Sequence, residues 1–226
     1  MRTSYENQTR TPFSWSLIST ERNGFAEELK KKELILKAAT TLFANKGYSG
    51  TSVREIVETA GVTKPTLYYY FKNKDDLYNT LMDEAIQIFF DILDQAAATP
   101  GDMRTRLTHV FAEIYHSFRE NIDFLRLVNS MIYGPRDAVP GYDLKPKNQQ
   151  FEECLAQILK DGIAEGELSE ADFNRVMLLL VGLLRSLQIL LVVKPVSQVV
   201  SPDELKKSID MIFDGTTKTR TCSKEV

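Results

Sequence analysis

TSVREIVETAGVTKPTLYYYFKNK, residues 51–74, is the stretch whose reading decides the fold. Ser52 and Glu55 stand at Ser-x-x-Glu spacing, so the serine hydroxyl and the glutamate carboxylate can each satisfy a free amide at a helix start. Val53, Ile56, Val57 and Ala60 then repeat at i, i+3, i+4 and i+7 as one apolar stripe, and Gly61 follows where a left-handed C-cap stops the helix. Thr63 can cap a second helix, and Pro65 sits in its first turn, where the amide that proline lacks has no helical partner. Leu67 and Phe71, four apart, face inward, which leaves Lys64, Thr66, Tyr68 and Tyr69 outward.

Two short helices joined by a tight turn containing glycine make a helix-turn-helix, whose second helix enters the DNA major groove and presents its first residues to base edges. Lys64 can donate to guanine or to phosphate, Thr66 offers a hydroxyl and a methyl, and Tyr68 and Tyr69 can reach phosphate oxygens. Thr63, the cap at the groove end, joins that DNA-facing set. Lys64, Lys72 and Lys74 lie between Glu58 and Asp75 with no acidic residue among them, so the surface offered to a polyanion is locally clean. A purely structural role for the tyrosine run does not work, because helical neighbours are about 100° apart and three in a row cannot all point inward.

The segment ILKAATTLFANKGYSGTSVREIVETAGVTKPTLYYYFKNKDDL resembles the N-terminal domain of the TetR/AcrR family of bacterial transcriptional regulators. The likeness covers residues 28–81, about a quarter of the chain, and rests on LFANKGY, the A-G-V turn, TLYYYF and the following K-x-K-x-x-L. The resemblance implies that Lys64, Pro65, Thr66 and Tyr68 read bases, that Arg54 can add a base contact, and that Ser52, Tyr69, Tyr70 and Lys74 grip phosphate. It further implies an all-helical dimer whose larger C-terminal domain binds a small effector that releases the DNA.

The remainder of the chain fits that organisation. Its 226 residues, 43% hydrophobic and 26% charged, suit one soluble regulator of two subdomains. The net charge of −3 would be odd for a protein that coats nucleic acid without specificity. Residues 27–78 hold nine Lys or Arg against seven Asp or Glu, and residues 79–226 hold sixteen against twenty-two, so the anion-binding end is the N-terminal one. Residues 1–26 read as a disordered arm: Phe13, Trp15, Leu17 and Ile18 are its apolar cluster, Arg2, Arg10 and Arg22 are widely spaced, and it lacks the apolar core of a signal peptide. Cys154 and Cys222 form no disulfide pattern. A cytoplasmic, nucleoid-associated protein is expected, with the DNA-binding domain at 27–74, an effector-binding and dimerisation domain at 75–214, and a polar tail at 215–226.

An all-α fold of about nine helices is predicted. Leu34, Ile35, Ala38, Leu42 and Phe43 stripe a first helix over 27–46. Asn73 caps a long fourth helix carrying Leu77, Leu81, Ile88 and Ile92, which runs from the reading head into the rest of the chain and can transmit tilt. Further helices follow from Leu107 to Phe118 and over 124–132, 151–163, 172–193 and 202–213. Residues 133–147, YGPRDAVPGYDLKPK, are an irregular loop, either a plain connection or a lid over a ligand. Residues 176–193 approach the length of a membrane span, but Arg185, Ser186 and Gln188 in the middle favour a helix buried between subunits, with no membrane partner. Leu180, Leu184, Leu187, Ile209, Ile212 and Phe213 are the expected dimer surface, a four-helix bundle by resemblance to the family.

Phe111, Tyr115, Phe118, Met131 and Met177 are candidate walls of an effector cavity, although residues at such spacing also serve as core. His109, Glu113 and His116 share a helical face, yet they lie opposite the Leu107/Phe111/Phe118 stripe, and a solvated face is the better reading than a metal site. No nucleophile motif or glycine-rich phosphate loop is present, so neither an enzyme nor a cofactor is expected. The chain reads as a homodimeric repressor of a palindromic double-stranded operator, released by an unidentified, partly apolar small molecule. Two rivals are an effector-independent DNA-associated protein of the same fold acting through a protein partner, and an enzyme with a helix-turn-helix appendage.

Overall fold

A computed structural model describes residues 23–134, 139–194 and 199–217. Among them are nine α-helices: α1 Asn23–Lys46, α2 Val53–Ala60, α3 Lys64–Tyr70, α4 Lys74–Ala97, α5 Met103–Glu120, α6 Ile122–Tyr133, α7 Lys145–Ala164, α8 Phe173–Val193 and α9 Pro202–Thr217. Residues 1–22, with the apolar cluster and arginines of the arm, and Cys222 lie outside the described residues.

In the N-terminal module α1 packs on α2, α3 and α4. Ile35, Leu36, Ala38, Ala39 and Phe43 are its buried residues, whereas Leu34 is exposed. The inward stripe is therefore rotated by one position from the expected one, because Leu36, Ala39 and Phe43 form an i, i+3, i+7 row of their own. Ile56, Val57, Leu67, Phe71, Leu77 and Tyr78 close the small core. Phe43, Tyr48 and Tyr78 meet in tilted and edge-to-face contacts at 5.3–5.6 Å, and burial pushes the Tyr78 phenol up to about 12.

α4 extends from this module into the C-terminal bundle, where it packs on α5 and α7. Its inward residues are Leu81, Met82, Ala85, Ile86, Phe90, Leu93 and Ala96; the Ile88 side chain lies outside the described residues. α5 is the central strut, in contact with α4, α6, α7, α8 and α9. The helix α7 begins at Lys145, six residues before its expected start, because Pro146 occupies the first turn, where proline costs no hydrogen bond. Gly162 on α7 lies so close to α5 that an added Cβ would stand 2.9 Å from the Met103 Cβ.

Candidate nucleic-acid interface

The reading head is built by caps. The Ser52 hydroxyl accepts from the Glu55 amide while the Ser52 amide donates to the Glu55 carboxylate at 2.9 Å. Gly61 closes α2 in the left-handed conformation, at φ 66°, which a side chain rarely adopts. The Thr63 hydroxyl then accepts from the Thr66 amide at 3.3 Å and lies 2.9 Å from the Thr66 hydroxyl. Each such cap is worth about 0.5–2 kcal/mol, which matters for helices of eight and seven residues that could not persist alone.

Once anchored by Leu67, fully buried, α3 turns the other side chains out. Lys64 and Pro65 are exposed, Tyr68 and Tyr69 remain 51% and 70% accessible, and Thr66 is half-buried. Tyr70 is half-buried, packed edge-to-face on Tyr69 at 4.9 Å and against Phe71. Beside this face Arg54 is exposed and donates to Glu58 at 2.7 Å, a surface pair that water and phosphate can readily replace. Ser52 is exposed, but its hydroxyl also donates to Glu55.

Lys74, expected to grip phosphate, has partners within the chain. Its ammonium lies 4.0 Å from the Tyr48 ring centroid and donates to the Tyr48 and Thr51 carbonyls at 2.9 and 3.0 Å. It is half-buried and binds the start of α4 to the loop between α1 and α2. The signal was hidden because the sequence shows a lysine in a basic run and not the carbonyls folded over it.

The C-terminal bundle contains an aromatic cavity of about 70 Å³ between α4, α6, α7 and α8. Phe89, Phe90, Phe118, Phe124 and Phe151 line it together with Lys147, Asn148, Arg185 and Gln188. Of the five expected wall residues Phe118 alone is there. Phe111 and Tyr115 are core instead, and the Tyr115 hydroxyl donates to the Val200 carbonyl. Met131 and Met177 pack against the core at half-burial. The reason for Phe111 and Tyr115 is the central position of α5, which touches five other helices and turns these side chains into the core between them. A second cleft, about 300 Å³, lies between α1, α4 and the turn joining α5 to α6.

The apolar residues expected at a dimer surface are largely inside the single chain: Leu180, Leu184, Leu187, Ile209 and Phe213 are all at most 4% accessible, and Ile212 is half-buried. The apolar side chains left outside α8 are Leu178, Leu179, Ile189 and Val193, with Met211 on α9. Leu178, Ile189 and Val193 fall on one side of α8 and Leu180, Leu184 and Leu187 on the other, as stepping by 100° requires. By length and composition alone, Glu170–Val193 could cross a membrane. Among the described residues no group of histidine, cysteine or carboxylate side chains could hold a metal; His116 lies 3.5 Å from Glu120. Cys154 is a half-buried free thiol whose pKa burial raises.

Comparison with known proteins places these features. The family profile described as bacterial regulatory proteins, tetR family, matches residues 35–81. The HTH-type transcriptional repressor KstR2 of Mycolicibacterium smegmatis is 23% identical over 146 residues, covering 62% of this chain and 69% of its own length. The TetR-family regulator PfmR of Thermus thermophilus superposes with a TM-score of 0.64 at 23% identity, over 80% of this chain and 97% of that one. The regulator FadR of Bacillus subtilis, solved with stearoyl-CoA, has a TM-score of 0.60 at 20% identity, over 80% and 95%.

Proposed function

This chain belongs to the TetR family of bacterial regulatory proteins, and from that premise we propose that it is a repressor that binds a palindromic operator as a homodimer and leaves it when a small molecule enters the C-terminal bundle. The observation that carries the reading is the α3 surface: Lys64, Pro65, Tyr68 and Tyr69 stand exposed on a doubly capped helix-turn-helix. Lys64 and Pro65 supply the first turn that enters the groove, and Thr66 and Tyr68 the next contacts. Arg54, released from Glu58, adds a base contact, and Ser52, Tyr69 and Tyr70 serve the flanking phosphates. The module ends where α4 begins, near residue 74, and the helices from there to residue 214 are the effector and dimerisation domain. The protein is cytoplasmic, and operator binding brings it to the nucleoid.

The exposed stripe of Leu178, Ile189 and Val193, beside Met211, is the surface by which a second copy completes the dimer. Pairing α8 and α9 across a twofold axis gives a four-helix bundle and sets two reading heads about 34 Å apart, one turn of DNA. α4 runs from the aromatic cavity, where it contributes Phe89 and Phe90, to the head it supports, so a molecule that displaces those rings favours a dimer whose heads no longer match the operator. That cavity, with four polar side chains on its wall, supports an effector-responsive protein over one that acts through a protein partner alone.

Binding of an operator duplex by the Lys64→Ala and Tyr68→Ala variants is the test. Lys64→Ala should weaken binding and reduce the salt slope by about 1, and Tyr68→Ala should change which operator positions matter. Unaltered affinity and preference in both would show that α3 is not the reading helix.

A further inference from the structure

Resting on the aromatic cavity as the effector site, we infer that the effector is an apolar monocarboxylic acid and that Arg185 selects it. The Arg185 guanidinium donates to the Gln188 side-chain oxygen at 3.1 Å and to the Asn148 side-chain oxygen at 2.8 Å. Both acceptors are neutral amides, so the arginine is held in position while its charge is left uncompensated; among the described residues it makes no ion pair. Lys147 adds a second positive end on the same wall, 5.6 Å from the Phe90 ring centroid, and no aspartate or glutamate lines the cavity. A half-buried cation with no counter-charge is unfavourable, and a carboxylate supplies what is missing in the geometry a guanidinium prefers, two parallel N–H···O bonds.

The remaining wall is hydrocarbon. Phe89 stacks on Phe118 at 6.0 Å and 7° and meets Phe151 at 6.0 Å, so the body of the ligand must be apolar. The cavity of about 70 Å³ is smaller than the roughly 150 Å³ that receives benzene in an engineered protein core. Entry of even a short chain or single ring therefore shifts an aromatic side chain, and Phe89 belongs to α4, the helix that carries the reading head. Size also separates this site from one built for a nucleotide thioester: a cavity of about 70 Å³ has no room for a nucleotide.

The probes are octanoate, octan-1-ol, octylamine and octanoyl-CoA, with 3-phenylpropanoate and 3-phenylpropan-1-ol as a second matched pair. Calorimetry on the full-length dimer measures binding, and loss of a bound operator duplex measures release. The acids should bind at least tenfold more tightly than their alcohols and than the amine or the thioester, and should release DNA. Arg185→Gln should weaken the acids by roughly tenfold to a hundredfold, as loss of charge-assisted bonds implies, and change the alcohols by less than about threefold; Arg185→Lys should keep part of the preference. Equal binding of acid and alcohol, tighter binding of octanoyl-CoA, binding of none of the probes, or an unchanged acid affinity in Arg185→Gln would each overturn the assignment. Val128→Phe, which fills the cavity from α6, separates the two levels. If it leaves release by every probe intact, the cavity itself is not the effector site; if it blocks release by acids and alcohols alike, the cavity stands and the head-group comparison alone decides the class.

Discussion

The Tyr142 hydroxyl donates to the Asp83 carboxylate at 2.6 Å and so pins the loop between α6 and α7 onto α4. Burial, reinforced by the carboxylate, raises the pKa of the phenol, so the proton stays on Tyr142 and the bond persists across the physiological range. Two residues further on the same loop reaches the cavity wall at Leu144, followed by Lys147 and Asn148. One hydrogen bond therefore joins the rim of the aromatic cavity to the helix that leads out of the helix-turn-helix module.

Tyr142→Phe removes that bond and little else. Hydrogen bonds to charged groups contribute about 1.5–3 kcal/mol when sheltered, and an exposed one less. The loop should then open more easily, lowering the effector concentration for half-release of DNA by about threefold to tenfold, with operator affinity in the absence of effector unchanged. Titration of a bound operator probe with effector checks this, and an unshifted midpoint contradicts it.

Lys74→Met should act on stability and not on the salt dependence of DNA binding. The ammonium holds two carbonyls and an aromatic face, and its loss should cost about 1–3 kcal/mol in denaturant unfolding of the N-terminal module. A flattened salt slope in a variant of undiminished stability would restore Lys74 as a phosphate contact.

Glu55 sets an acid limit on the head. The Lys46 ammonium, 2.6 Å away, and then the Ser52 amide and hydroxyl hold its carboxyl down to about 2 from the ordinary 4.5. A depressed carboxylate contributes stability that is fully present above its unfolded value and is lost as pH falls toward the folded one. Glu55→Gln should therefore melt below the wild type at pH 7, by a modest margin because the group is at the surface, and the gap should close between about pH 4.5 and pH 2. A gap independent of pH would show that the capping geometry, and not the charge, matters.

Leu178→Glu combined with Val193→Glu places charges on both ends of the exposed α8 stripe. Sedimentation should show a monomer, and operator affinity should fall by at least roughly tenfold, since one head cannot span a palindrome. A dimer that survives both charges would move the interface away from α8.

What could be read from the sequence follows from how one-sided each element is. α2 and α3 carry caps, a glycine and a single apolar stripe, so their boundaries and outward residues, Tyr68 and Tyr69 included, were legible. α8 is apolar on most of its circumference, and periodicity therefore identified a buried helix without telling the core side, Leu180 and Leu184, from the exposed side, Leu178 and Val193. The cavity walls were hidden for a related reason: α5 carries an evenly spaced aromatic stripe, but Phe111 and Tyr115 in it fill the centre of the bundle. The one sequence signal of the cavity was Arg185 and Gln188 inside a hydrocarbon run, whose partner Asn148 sits 37 residues away on α7.

Selection of bound sequences from random duplex DNA, using the purified protein at near-physiological salt, tests the central claim most directly. A dimeric operator reader predicts a palindromic consensus whose half-sites lie about one helical turn apart. Salt-sensitive binding with no consensus would contradict it and leave a nonspecific DNA-associated protein in its place.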